Sequence, residues 1–221
     1  MNNQYYDQGG QRYDTGPVPQ YTQPYQYSQP YPQYAAPYAP PAPITRKMPV
    51  AALVLAIAAA ALYTFDIALQ FLNYGFENMY VTELILNMTG YAFVILGIAM
   101  YKNGKPLFTG IGAFSMALTY FIYFMDWVGY IGKYVHAAFY VVMHLASIAV
   151  FVLVGLHYVL GGKLRGAKNA MSFVYIGITV TKFVYGCMQY FSFEDIFRAV
   201  FGYVGYSILL SVAFITFSVK E

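Results

Sequence analysis

At 221 residues, with 59% hydrophobic and only 10% charged side chains, this chain lies outside the composition of a soluble domain, in which roughly 25% of residues are charged. The formal net charge of +3 is small, and there is no basic patch of the kind that tracks a nucleic-acid backbone, so nucleic acid is not an expected partner. Cys187 is the single cysteine, which excludes an internal disulfide and a cysteine metal cage and leaves a small packing residue mid-helix.

Residues 1–48 form a low-complexity segment rich in Tyr, Pro and Gln, in which a Gln-Pro-Tyr triplet at 23–25 returns at 29–31. Aliphatic residues are almost absent there, and the prolines remove backbone donors. Too little apolar surface is available to offset the entropy of ordering, so the segment is expected to be disordered. It reads either as a passive solvated tail or as a docking or clustering segment. Pro37 and Pro40 have Pro-x-x-Pro spacing, which so proline-rich a stretch supplies by chance. The first apolar segment follows this polar stretch and not a short basic region, so the first helix is expected to be an uncleaved span.

From Met48 onward the charges are clustered and leave uncharged runs, such as Met48 to Phe65, long enough to cross a hydrocarbon core of about 30 Å. The reading is an all-α, polytopic membrane domain over residues 49–221, with six spans at 49–72, 80–101, 107–128, 134–160, 170–191 and 196–218. Asn103-Gly104-Lys105-Pro106 and Gly161-Gly162-Lys163 supply turns. Arg46, Lys47, Lys102, Lys105, Lys163, Arg165, Lys168 and Lys220 fall on one side of this topology. Glu77, Glu83, Asp126, Glu194 and Asp195 fall on the other, with Lys133 and Arg198. The basic side is cytoplasmic by the positive-inside rule, so both termini are expected in the cytoplasm. Tyr74, Tyr80, Tyr101, Tyr130, Tyr134, Tyr158 and Tyr190 read as interfacial belts.

Lys47, Lys105 and Lys163 are each 58 residues apart, and Phe93–Ile98 resembles Phe151–Leu156 at the same spacing. Thr119–Tyr123 and Thr181–Tyr185 also share a pattern. This suggests three helical hairpins related by an internal repeat, although apolar sequences match one another easily. Ala52, Ala56 and Ala60 on the first span, and Gly110, Gly112 and Ala113 on the third, are small residues that let helices approach closely.

Charged groups at bilayer depth cost roughly 2.5–3.5 kcal/mol on insertion scales. Lys182 lies near mid-span and is expected to face the bundle interior and pair with a carboxylate, Asp66 before Glu83 or Asp126. Asp66 and Gln70 share a helical face, as do Glu83 and Asn87. With Lys182, Gln189, Arg198 and His136 they could build a polar cavity opening outward. The candidate intramembrane polar site is therefore Asp66, Gln70, Glu83, Asn87, Asp126, His144 and Lys182. The competing reading makes these charges clips between helices. His136, His144 and His157 share the fourth span, but His144 and His157 differ by about 220° around a helix, so one ion cannot take all three. His144 reads as a hydrogen-bonded interior residue and His157 as interfacial.

No phosphate-binding loop, nucleophile elbow or His-Glu-x-x-His pair occurs, and Asn87-Met88-Thr89, a glycosylation acceptor by letters, lies inside a span. The expectation is a non-enzymatic membrane protein without cofactor or metal, binding or transporting a small solute or ion. The alternative is a membrane scaffold or stress-related protein whose tail recruits partners. The lipid bilayer is the expected surrounding, and a homo-oligomer or a tail-bound protein the other partner classes. A Tyr/Pro/Gln-rich tail before a compact helix set resembles the layout of small bacterial membrane proteins, so the expected location is a bacterial cytoplasmic membrane.

Overall fold

The computed structural model describes residues 48–74, 81–103, 106–189, 196 and 199–219, all within one compact unit, Ile44–Glu221. The tail, apart from Met48, lies outside the described residues, as do Gly104–Lys105 and the stretches on which Glu77, Tyr80, Tyr190, Glu194 and Asp195 fall.

The described chain is helical throughout. We label the helices α1 (Val50–Tyr74), α2 (Val81–Ala99), α3 (Leu107–Val128), α4 (Ala137–Val159), α5 (Arg165–Gln189) and α6 (Gly205–Thr216). A 3-10 turn, Met100–Asn103, extends α2, and a π-helical turn, Val200–Val204, leads into α6. Five of these helices, α1 to α5, are long and apolar enough to cross a membrane, whereas the sixth apolar helix, Gly202–Thr216, is shorter. At 1.5 Å per residue α4 measures about 34 Å, enough for a hydrocarbon core of about 30 Å. Their outward faces carry Val54, Phe65, Leu72, Leu145, Phe173 and Met188, all exposed. Such apolar surround suits lipid as the solvent and is foreign to a water-soluble bundle.

The helices form a closed ring in chain order, each packed on the next and α6 returning to α1. They do not sort into three hairpins. Helix α3 lies closely against both α2 and α4, and α1 leans more on α6 than on α2. The three-hairpin arrangement and the threefold repeat are therefore not confirmed.

Small residues set the tight seams. A Cβ at Gly112 would lie 2.6 Å from the Gly90 carbonyl, and one at Gly97 would strike the Thr109 backbone nitrogen and Oγ1, so α2 and α3 meet backbone to backbone. On α1 the buried stripe is Ala52, Ala56 and Ala59, with Ala60 only partly buried beside it. The α4–α5 turn uses Gly161 and Gly162 at φ 68° and 102°, a region open to glycine at no steric cost.

One end of the ring is sealed. Tyr158 stacks on Phe217 at 5.1 Å, and Tyr101 meets Phe217 edge-on at 5.2 Å. Both tyrosines are buried core residues, whereas Tyr130 and Tyr134 are exposed. Lys168, expected on a loop, is fully buried in the first turns of α5. Its Nζ donates to the carbonyl of Phe214, to that of Phe217 at 2.8 Å and to that of Ile215 at 3.5 Å. These are the carbonyls that a helix C-terminus leaves without intrahelical partners, and a cation there also complements the helix dipole. The Tyr158 hydroxyl adds longer bonds to Phe214 and Phe217 at 3.4 and 3.3 Å.

Candidate functional site

The other half of the ring is hollow. A partly open cavity of about 720 Å³ runs from mid-depth to the end that carries the α1–α2 and α3–α4 connections. Its walls come from the second half of α1 (Tyr63, Asp66, Ile67, Gln70), the first half of α2 (Asn87, Tyr91) and α3 from Met116 to Trp127. Helix α4 adds Tyr140, His144 and Phe151, and α5 adds Tyr175, Lys182, Phe183, Gly186 and Cys187. Ile196, Ala199, Tyr203, Tyr206 and Leu210 complete the ring from the segment around α6. Because successive helices contribute opposite halves to one cavity, neighbours run antiparallel.

Lys182 faces the interior, as its depth in the sequence requires, and is 8% exposed. Its partner is not the expected Asp66. Nζ lies 3.2 Å from His144 Nδ1, with the Tyr120 ring centroid at 5.3 Å and that of Tyr203 at 6.0 Å. An ammonium has donors only, so Lys182 as a cation requires Nδ1 to accept and the imidazole to be neutral with its proton on Nε2. His144 is thus the hydrogen-bonded interior residue its position implied. It is caged by Tyr120, Tyr123 and Tyr140, with ring centroids at 5.9, 5.5 and 6.3 Å. The helical rotation of α4 decides this pairing, and sequence spacing does not reveal that rotation.

Asp66 and Gln70 behave as their spacing predicts, with Gln70 Nε2 donating to Asp66 Oδ2 at 3.0 Å. The Asp66 carboxylate also presses on Gly202 of the π-helical turn, where a Cβ would lie 2.6 Å from Oδ1. A larger residue there would push the carboxylate aside. A π-turn inserts an extra residue and commonly marks a functional site; here it turns Tyr203 and Tyr206 onto the cavity.

Of the seven expected site residues, Asp66, Gln70, Asn87, His144 and Lys182 border this one cavity. Glu83 and Asp126 do not. Glu83 is buried in the first turn of α2, with Oε2 lacking a hydrogen-bond partner among the described residues. Asp126, one residue before Trp127, is exposed. The Gln189 side chain and Arg198 lie outside the described residues. His136 sits apart, stacked on Tyr134 at 5.6 Å and edge-on to Trp127 at 5.6 Å. His157, in the last turn of α4, is fully buried against Tyr158.

The phenols of the lining had no place in the sequence reading. Tyr63 packs against Tyr91 at 5.2 Å and Tyr206 at 5.3 Å, and Tyr120 stacks on Phe151 at 5.5 Å. The Tyr120 and Tyr175 hydroxyls bond to each other, and Tyr175 reaches Ser207 Oγ at 3.5 Å. Tyr203 and Thr179 hydroxyls adjoin, yet neither attains hydrogen-bond geometry with any described residue. Mid-span position was the available signal: a phenol far from both interfaces needs an internal polar partner or a wet cavity.

No group of three or more metal-ligating side chains occurs among the described residues. No family model, curated protein or solved structure matches this chain. Fold and site together are those of a multi-pass, all-helical bundle suited to a membrane, with an aromatic cavity holding buried ionisable groups.

Proposed function

We propose that this protein binds a small organic solute within the bilayer and serves its passage between the two faces. One arrangement carries the reading: Lys182, deep in the bundle, stands on a cavity wall bonded to an imidazole and, among the described residues, to no carboxylate. A cation at that depth costs roughly 2.5–3.5 kcal/mol, and a mere clip between helices would set it against a carboxylate across a dry seam. Asp66, the carboxylate on the same cavity, engages Gln70 instead. The cavity, at about 720 Å³, falls in the range of roughly 300–1,000 Å³ typical of organic-ligand sites.

In this reading the chain crosses the membrane six times, the segment from Ile196 to Thr216 making the last crossing. Arg46, Lys47, Lys163 and Arg165 mark the cytoplasmic side. The sealed end then faces the cytoplasm and the hollow end faces outward, so the described state is open to the outside. Two tests decide it. Full-length protein in lipid nanodiscs, screened by thermal shift against a solute panel, is expected to gain stability with a subset, and Lys182→Met and Asp66→Asn to abolish the gain while remaining monodisperse. If both neutral substitutions leave solute binding and uptake intact, this cavity is not the site.

A further inference from the structure

We infer that the solute is a planar or aromatic carboxylate whose carboxylate group bonds to Lys182. This rests on the solute-binding reading above and specifies its chemistry. Among the described residues Lys182 is a buried cation on the cavity wall, and its contacts there are the His144 imidazole and the faces of Tyr120 and Tyr203. Cation–π contacts ease an ammonium out of water but leave its charge unbalanced, so an entering anion supplies the counter-charge that the described residues do not. A neutral His144 holds Nζ in place without competing for negative charge.

The wall around Lys182 favours the same ligand. Rings from Tyr63, Tyr91, Tyr120, Trp127, Tyr140 and Tyr206 offer faces and edges for a flat body to stack on.

Trp127 is the only tryptophan and it lines the cavity, which gives a native reporter. Detergent-solubilised full-length protein is titrated with 4-nitrobenzoate, a contact quencher of indole. Saturable quenching of Trp127 is expected, roughly tenfold or more weaker in Lys182→Met, the loss expected for one buried charge-assisted bond. Lys182→Arg, which keeps the charge, should retain most of the affinity and shows that the loss is not misfolding. Octanoate, with the same charge and no ring, should compete poorly. Equal quenching by 4-nitrobenzamide, insensitive to Lys182→Met, would overturn the anion assignment and leave solute binding standing. Octanoate competing as well as benzoate would overturn the aromatic part and point to a fatty acid from the membrane. No saturable quenching by either the acid or the amide would overturn the inference, and with Cys187 also unreactive toward small thiol reagents it would remove the solute-binding reading as well.

Discussion

Replacing Lys168 with methionine tests how the sealed end of the bundle is held. The substitution keeps the stem and its packing but removes the donor that reaches Phe214, Ile215 and Phe217. Hydrogen bonds from a charged group contribute about 1.5–3 kcal/mol each, and a buried carbonyl left without a partner costs about 1–3 kcal/mol. Two close acceptors are lost. The Tyr158 hydroxyl, already 3.4 and 3.3 Å from two of these carbonyls, can recover part of one bond. The cation's own desolvation cost is relieved as well. The net expectation is a loss of about 2–4 kcal/mol, or roughly 5–15 °C in apparent melting temperature for a chain of this size. Thermal unfolding followed by circular dichroism in detergent measures it, and Tyr158→Phe should cost about 1 kcal/mol beside it. An unchanged melting temperature in Lys168→Met would show that water reaches these carbonyls and that Lys168 is no cap.

Gly97→Ala drives a Cβ into the Thr109 backbone and side chain, and overpacking of this kind costs about 1–3 kcal/mol, read in the same thermal assay. Gly202→Ala should leave the melting temperature nearly unchanged but displace the Asp66 carboxylate into the cavity, so solute-induced stabilisation should fall several-fold. Deleting residues 1–44 should leave solute binding unaltered; a lost phenotype with binding intact would favour the scaffold role for the tail.

Hydropathy alone made much of the helix layout legible. The third span coincides with α3, and α1, α2 and α4 agree within a few residues at each end. Helix α5 starts five residues before the expected position because Lys168, charged and apparently loop-like, is consumed by the carbonyls ending α6. Its depth located Lys182 in the interior, because few sites can shelter a mid-span ammonium. The choice of His144 over Asp66 was hidden, since it depends on how α4 and α5 rotate about their axes, which apolar sequences barely encode. Asp66 with Gln70 was legible because the contact is local. Glu83 was not, since its i+4 partner Asn87 turns to the cavity while its own carboxylate does not. The tyrosines were misread in both directions: Tyr101 and Tyr158 looked interfacial and are core, while Tyr120, Tyr175 and Tyr206 drew no notice and line the cavity. A phenol suits an interface, a packed core with an acceptor or a wet wall, and composition does not choose among them.

The measurement that bears most directly on the whole account is thiol accessibility inside the cavity. Asn87, half-buried on α2, lines its wall. In a Cys187→Ser background, Asn87→Cys should react with a small, membrane-impermeant methanethiosulfonate added to the outer side of oriented vesicles, and stay inert to the same reagent added from the cytoplasmic side. A thiol there that reacts from neither side until the protein is denatured would mean a dry bundle in which Lys182 and His144 merely pin two helices together.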